Sequence, residues 1–320
     1  MTGRPNGDPD GRDPVDDATL ALLLEVAGTP KPGNVDRERD LTDLRFESFL
    51  GGSIGARAGL ESAARGEPLG PSFERAVRGM ADRAGTNTQF GCLLLLTPLL
   101  AATVDDTVAP SGTVTPEAVD RVVRRTTVAD AVAFYTAFEH VDVAVDDPPV
   151  AADALDVRRG GSAASTLRER GVTLREVMEL GAEPGGIPDR NAQEWVEGFP
   201  RTVRIAERIL ADEGAVTDRA ARAFIYQLAR EPDTLVATNH DADVARETSR
   251  RAASVIEGID ASSDDEAADP PDPLADHVDL AAATTLAEAF VDGGINPGTT
   301  ADLVCAGLYV ALRRGLEVRA

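Results

Sequence analysis

The chain is poor in several residue types, and each shortage excludes a class of protein. Its 320 residues include only two cysteines, which excludes a disulfide-stapled scaffold and a cysteine-rich zinc module. Aromatic residues make up 4% of the sequence, so a core must be built mainly from alanine, valine and leucine. Lysine occurs once, at Lys31, and the other basic residues are all arginines.

Long hydrophobic runs are also missing. The longest apolar run, residues 91–102, contains Pro98 and is too short to span a bilayer, so it predicts a buried helix. Residues 1–17 are polar and acidic and lack the apolar stretch of a secretory signal. We therefore expect a cytoplasmic protein with no membrane partner.

Positive charge is scarce as well. The 32 basic residues oppose 55 acidic ones, which gives a formal net charge of −23. Such a charge repels nucleic-acid phosphates and anionic lipids, and this excludes partners of both kinds. Hydrophobic residues still reach 42%, enough for a sizeable core, so the acidic residues are expected on a folded surface. An acidic excess with so little lysine is typical of halophilic proteins.

Helical periodicity dominates what is present. Apolar residues recur every three or four positions in five segments: 73–84, 119–129, 199–210, 221–228 and 244–255. Segments 93–102 and 303–312 are apolar on nearly every side, as central helices are. The only alternating run is 141–145. The pattern predicts an all-α fold, with one compact helical domain over 16–320, a disordered acidic tail at 1–15 and an acidic loop at about 260–273.

The rare residues collect in the junctions between the predicted helices. The chain has six asparagines, and four of them (Asn34, Asn87, Asn239 and Asn296) lie in segments rich in glycine, proline and threonine. Helix capping is the simple explanation for any one of these junctions. The four together, with the only lysine in the first, favour a shared binding site.

The first junction carries the most chemistry. Two prolines hold Lys31 in an extended segment, and Gly33 permits close approach of a ligand to the backbone. Lys31 and Arg37 suit a polyphosphate, with Asn34 beside them. Asp36, with Asp43, is a candidate ligand for Mg²⁺, the ion expected with ATP, or a candidate base for a hydroxyl group.

Four motifs in order resemble the triphosphoribosyl-dephospho-CoA synthase family. The family signature E-V-x-x-x-P-K-P-G-x-V-D resembles Glu25-Val26 followed by Thr29-Pro-Lys-Pro-Gly-Asn-Val-Asp36. Its G-V-N-T, D-T and G-x-x-A-D-L motifs resemble Gly85-Thr-Asn-Thr88, Asp233-Thr234 and Gly298-Thr-Thr-Ala-Asp-Leu303. The matches extend from about residue 20 to about residue 315.

This resemblance implies an all-helical transferase. Family members move the triphosphoribosyl group of ATP to the 2′-hydroxyl of 3′-dephospho-CoA and release adenine. Carried over by position, the motif residues of this chain are Lys31, Gly33, Asp36, Asn87, Thr88, Asp233 and Asp302. The resulting hypothesis places Lys31 and Arg37 on the phosphates and uses Asp36, Asp43 or Asp302 as the base. Asn34, Asn87, Thr88, Asp233, Asn239 and Asn296 would bind or orient the substrates.

Two departures from the family pattern leave alternatives open. The family continues its second motif with H-K, whereas this chain has Gln89-Phe90. A histidine that follows the first motif is also missing, and only Asp43 falls near its position. One alternative is a related helical enzyme acting on another phosphorylated substrate in cofactor biosynthesis. The other is a non-catalytic helical binding protein.

Overall fold

The computed structural model describes residues 12–105, 107, 114–148, 150–183, 186–256 and 278–318. Within these ranges the fold is all-α, as the periodicity predicts. Its helices are α1 (Pro14–Ala27), α2 (Phe46–Ala64), α3 (Leu69–Ala84), α4 (Phe90–Val104), α5 (Pro116–Val123), α6 (Val128–Ala137), α7 (Ala164–Arg170), α8 (Leu174–Ala182), α9 (Arg190–Glu197), α10 (Pro200–Ala211), α11 (Val216–Arg230), α12 (Thr234–Asn239), α13 (Ala242–Ala253), α14 (Leu280–Asp292) and α15 (Gly298–Arg313). Two 3₁₀ helices, Val150–Leu155 and Val157–Ala163, precede α7.

Helix α15 is the centre of the fold. Its residues 303–312 are all buried, as expected for a helix that is apolar all round. Helices α1, α4, α10 and α11 pack around it. The Tyr309 hydroxyl bonds the Thr103 hydroxyl of α4 at 2.7 Å, and Arg313 donates to Asp17 of α1 at 2.8 Å. The predicted central helices at 93–102 and 303–312 are therefore both confirmed.

Helices α2 and α3 form the closest helix pair of the fold. Glycines allow their backbones to touch: a Cβ on Gly55 would lie 2.0 Å from the Gly79 carbonyl oxygen, and one on Gly59 would lie 2.3 Å from the Ala76 amide nitrogen. Helix α3 ends where its sequence predicts, because Gly85 adopts φ 75° just after its last residue.

Other sequence expectations need correction or lie outside the described residues. The predicted face at 119–129 is split, because Thr127 and Asp130 form a capping box that starts α6 after α5 has ended. Residues 141–145 form no strand. The acidic loop at about 260–273 and residues 1–11 of the tail lie outside the described residues, and the chain is already helical from Pro14.

No helix in the described part of the chain is both long and apolar enough to cross a membrane.

Candidate functional site

The first junction, between α1 and α2, encloses its lysine. The Lys31 side chain is fully buried, forms an ion pair with Glu25 of α1, and donates to Asn34 Oδ1 at 3.0 Å. The Asn34 amide in turn donates to Asn296 Oδ1 at 3.0 Å, which ties this junction to the one before α15. Glu25 and Asn34 line a cavity, whereas Lys31 lies behind them.

Gly33 keeps these two junctions in contact. It has φ 74°, in the left-handed region, and a Cβ there would lie 2.1 Å from the Ile295 carbonyl oxygen. The glycine of the first motif therefore serves backbone packing between the junctions.

The remaining polar residues of the first junction do not reach the cavity. The buried Asp36 carboxylate accepts from the Lys31 amide (3.1 Å), the Glu38 amide (2.8 Å) and the Arg39 guanidinium (3.0 Å), so it holds the loop together. Arg37 and Asp43 are exposed and do not line the cavity. The phosphate clamp and the Mg²⁺ pair expected from sequence are thus not assembled in this geometry.

The second junction places Asn87 and Thr88 on the cavity wall. Asn87 accepts from the Phe90 amide at 3.2 Å and thereby caps α4, and its side-chain amide donates to the Asp142 carbonyl at 3.2 Å. The Thr88 hydroxyl oxygen is buried and has no hydrogen-bond partner among the described residues. This hydroxyl faces α2, because a Cβ on Gly52 would lie 2.5 Å from it.

The two residues that depart from the family motif have structural partners. Gln89 is buried, donates to the Leu22 carbonyl at 3.1 Å and accepts from the Ser53 hydroxyl at 2.9 Å, so it joins α1 and α2. Phe90 packs against Phe134 and Phe138 in an aromatic cluster, with ring centroids 6.3 and 4.9 Å away. Gln89 thus contributes packing, while the Phe90 ring forms part of an apolar wall of the cavity.

Asp233, which caps the start of α12, ties that helix to α15. Its carboxylate accepts from the Val236 amide of α12 at 3.1 Å, and from the Thr300 amide and hydroxyl of α15 at 2.6 and 2.7 Å. Asp233 itself is enclosed, and its neighbour Thr234 lines the cavity. Asn239 ends α12, is exposed, and lies off the cavity wall.

Asp302, in the second turn of α15, is an acid on the cavity wall with a perturbed pKa. Its carboxylate accepts from the Asn191 amide at 2.8 Å and from the Cys92 thiol at 3.2 Å. Burial raises the pKa of Asp302 to about 7, and the two hydrogen bonds oppose that rise. A Cβ on Gly91 would lie 1.9 Å from Asp302 Oδ2, so only glycine leaves room for this carboxylate.

No sequence motif marks Asn191, which lies in the first turn of α9. It is 7% exposed, and its Oδ1 atom has no hydrogen-bond partner among the described residues. It lines the cavity beside Asp302. The only sequence signal for Asn191 is the rarity of asparagine, which occurs six times in the chain. Asn191 itself lies inside a helix and outside every motif.

The cavity has a volume of about 630 Å³, the size of a site for a nucleotide or a cofactor. Its polar side is formed by residues of the four motifs, and its apolar side by residues such as Phe90, Phe134, Phe138, Val177 and Met178. None of its described lining residues is a lysine or an arginine. Negative substrate groups must therefore be met by backbone amides, hydroxyls and side-chain amides, or arrive with their own cations.

No group of three or more histidine, cysteine or acidic residues in the described ranges could hold a metal ion. Asp36 is committed to hydrogen bonds and Asp43 lies off the cavity. The residues present therefore do not fit a Mg²⁺ site built by the protein alone.

Known proteins resemble this chain in sequence and in fold. The family model CitG, ATP:dephospho-CoA triphosphoribosyl transferase, matches residues 12–319. A crystal structure from Archaeoglobus fulgidus, described as a candidate triphosphoribosyl-dephospho-CoA synthase, superposes with a TM-score of 0.62 at 21% sequence identity. The match covers 84% of this chain and 100% of that one. A search of curated proteins found no match.

Proposed function

The chain belongs to the CitG family of ATP:dephospho-CoA triphosphoribosyl transferases, and on that basis we propose that the cavity lined by residues of the four motifs is its active site. The enzyme transfers the triphosphoribosyl group of ATP to the 2′-hydroxyl of 3′-dephospho-CoA and releases adenine. The observation that supports this site is convergence: residues of all four motifs line or brace one cavity.

Asp302 is the base in this proposal. Of the three acids that the sequence suggested for this role, Asp302 alone lines the cavity. With a pKa of about 7 it can exchange a proton at neutral pH, which is the property that a general base needs. The Cys92 and Asn191 hydrogen bonds fix the orientation of its carboxylate.

The triphosphate is assigned to the first turn of α4. The backbone amides of Gly91 and Cys92 there have no hydrogen-bond partner among the described residues, whereas in the first turn of α15 the Gly298 amide donates to the Asn296 carbonyl and the Thr300 amide to Asp233. Free amides at the start of a helix bind anions well. Asn34, Asn87, Thr88 and Asn296 line this polar side, and the three asparagine side chains would orient the ligand through neutral hydrogen bonds.

Magnesium enters this proposal as part of the ATP complex. Mg²⁺ commonly uses one or two carboxylates together with substrate phosphates, and it seldom needs a cage made by the protein. That use is compatible with a cavity lined by separate acids. No step of the proposed reaction depends on Asp36 or Asp43 as metal ligands.

The proposed partners are the two substrates alone. Both ATP and dephospho-CoA are small anions that fit a cavity of this size, whereas the net charge of −23 disfavours nucleic acid. We place the reaction in the cytoplasm because ATP is available there.

The test is adenine release from ATP with and without dephospho-CoA. Asp302→Asn is expected to lower kcat at least 100-fold, because a positioned base contributes about 10²- to 10⁴-fold, while the KM for ATP changes less than about threefold. The matched control is Asp43→Asn, which removes an exposed acid of the first junction and is expected to keep full activity. Loss of activity in Asp43→Asn with retention in Asp302→Asn would reverse the assignment.

A further inference from the structure

The only lysine of the chain has an unusual position for a charged residue. Lysine is rarely buried, yet Lys31 has no exposed surface and its ammonium group contacts Glu25 and Asn34. Glu25 is 1% exposed and lines the cavity, whereas Lys31 does not. The structure thus holds one carboxylate on the cavity wall with a dedicated cation behind it.

A buried ion pair is weak evidence of a stabilising role. A buried ion pair loses the hydration of both charges, and replacing such a pair by apolar residues is often neutral or stabilising. Apart from the contact between His140 and Glu74, the other ion pairs in the described ranges use arginine, and lysine occurs only here in the chain. A buried pair beside a reaction cavity is better explained by a need for a fixed negative charge at that point.

Glu25 and Asp302 lie on the same cavity in different surroundings. Asp302 faces two neutral groups, the Asn191 amide and the Cys92 thiol, whereas Glu25 faces an ammonium group. The negative charge of Glu25 is also close enough to contribute to the raised pKa of Asp302. Burial raises the pKa of both carboxyl groups, but the Lys31 ammonium group opposes the rise at Glu25, whereas only neutral hydrogen bonds oppose it at Asp302. The two acids are therefore suited to two different roles.

We propose that Glu25 is a second catalytic residue, which stabilises positive charge on the ribose ring, and that Lys31 is the positioning residue that keeps Glu25 ionised. This inference rests on the proposed function of the cavity. It replaces the direct contact between Lys31 and phosphate that the sequence suggested. In this proposal Glu25 of the E-V part and Lys31 of the P-K-P-G part of the first motif act together.

The C1′–N9 bond of ATP breaks, and its electron pair leaves with adenine, which takes a proton from solvent. The ribose then carries positive charge shared between C1′ and the ring oxygen, as in other glycosyl transfers, and the Glu25 carboxylate faces that charge. A lone pair of the acceptor 2′-hydroxyl forms the new C1′–O bond, and the hydroxyl proton passes to Asp302.

The Lys31→Met variant separates this role from a phosphate clamp. If Lys31 supports Glu25, kcat falls at least tenfold while the KM for ATP stays within threefold of the wild-type value. A tenfold rise in the KM for ATP with kcat unchanged would make Lys31 a phosphate ligand and overturn the proposal.

Lys31→Met leaves Glu25 buried without a counter-ion, and this can prevent the variant from folding. In that case the double variant Glu25→Gln/Lys31→Met, which removes both charges, takes its place. The double variant is expected to bind ATP normally and to turn it over at least 100-fold more slowly; wild-type turnover by it would overturn the proposal.

Glu25→Gln tests the carboxylate itself. It keeps a hydrogen-bond acceptor for Lys31 but removes the negative charge, so kcat is expected to fall at least 100-fold. In Glu25→Ala, added formate or azide is expected to restore part of the activity, because a small anion can take the place of the missing carboxylate. Glu38→Gln, at an exposed acid of the same junction, is the matched control and is expected to behave as wild type.

The outcomes distinguish this proposal from the proposed function. If the wild-type enzyme releases no adenine from ATP and dephospho-CoA, the proposed function fails. If the wild-type enzyme is active and Glu25→Gln is equally active, only the role of Glu25 fails. Lack of rescue by formate and azide in a folded, inactive Glu25→Ala variant would make Glu25 a structural residue and also overturn the inference.

Discussion

At the scale of single residues, Asp302 shows how an active-site acid can work against the stability of its own fold. The ordinary pKa of an aspartate is 3.8, and burial raises that of Asp302 to about 7. Between these two pH values the folded chain retains a proton that the unfolded chain has lost. The contribution of Asp302 to stability therefore falls as pH rises from about 4 to 7, and it is constant above that range.

We predict that Asp302→Asn is inactive but more stable than wild type at pH 8. Three pKa units correspond to about 4 kcal/mol at most, and we expect a gain of about half that size after relaxation of the site. Urea unfolding at pH 4 and at pH 8 measures it, and the difference between the two proteins should nearly vanish at pH 4. Equal stabilities at both pH values would mean that Asp302 is not perturbed in the fold.

Several site residues could be predicted from sequence because scarcity and motifs marked them. Asn34, Asn87, Thr88 and Asn296 do line the common cavity, as does Asp302. The surroundings of the charged residues could not be predicted, because a loop sequence does not show which of its charges will be enclosed. Lys31 and Asp36 both become buried through partners that only the folded chain brings together.

At the scale of helices, the contact between α2 and α3 depends on missing side chains. We predict that Gly59→Ala lowers the free energy of unfolding by about 1–3 kcal/mol, because its Cβ would overlap the Ala76 backbone and force the helices apart. Gly51→Ala, in the same helix, is the control: its nearest neighbour would be 3.5 Å away, and the higher helix propensity of alanine should leave stability unchanged or slightly raised. Chemical denaturation of both variants is the measurement. Equal losses in the two would show that helix contact is not the cause.

Some of these helices can be predicted from the sequence, and others cannot. Helix α4 and helix α15 could be predicted because their apolar residues form long continuous segments. Helix α2 has no such signal: its four glycines lower helix propensity, and its helical state is maintained by packing against α3. The apolar periodicity does not show the break between α5 and α6, where a capping box interrupts an otherwise continuous apolar face.

At the scale of the whole molecule, the excess of 23 negative charges must be held on a compact surface. These charges repel one another, and added salt shortens the distance over which they act from about 10 Å at 0.1 M to about 3 Å at 1 M. We predict that the thermal midpoint rises by about 5 °C or more when KCl is raised from 0.1 to 1 M at pH 7.5. Scanning calorimetry measures the shift.

The same salt series near pH 4.5 is the control. The sequence isoelectric point is about 4.5, so the net charge and its repulsion are small there. The effect of KCl should shrink accordingly. A rise of the same size at both pH values would point to a general effect of salt on apolar burial in place of charge screening.

The complete enclosure of Lys31 has a practical consequence for handling this molecule. Reagents that acylate or methylate ε-amines have a single target side chain in the chain, and in the folded state they cannot reach it. Its rate of labelling therefore follows the local opening of the first junction, in the same way that amide hydrogen exchange follows the opening of backbone bonds. One amine thus serves as a built-in probe of how often the wall of the cavity comes apart.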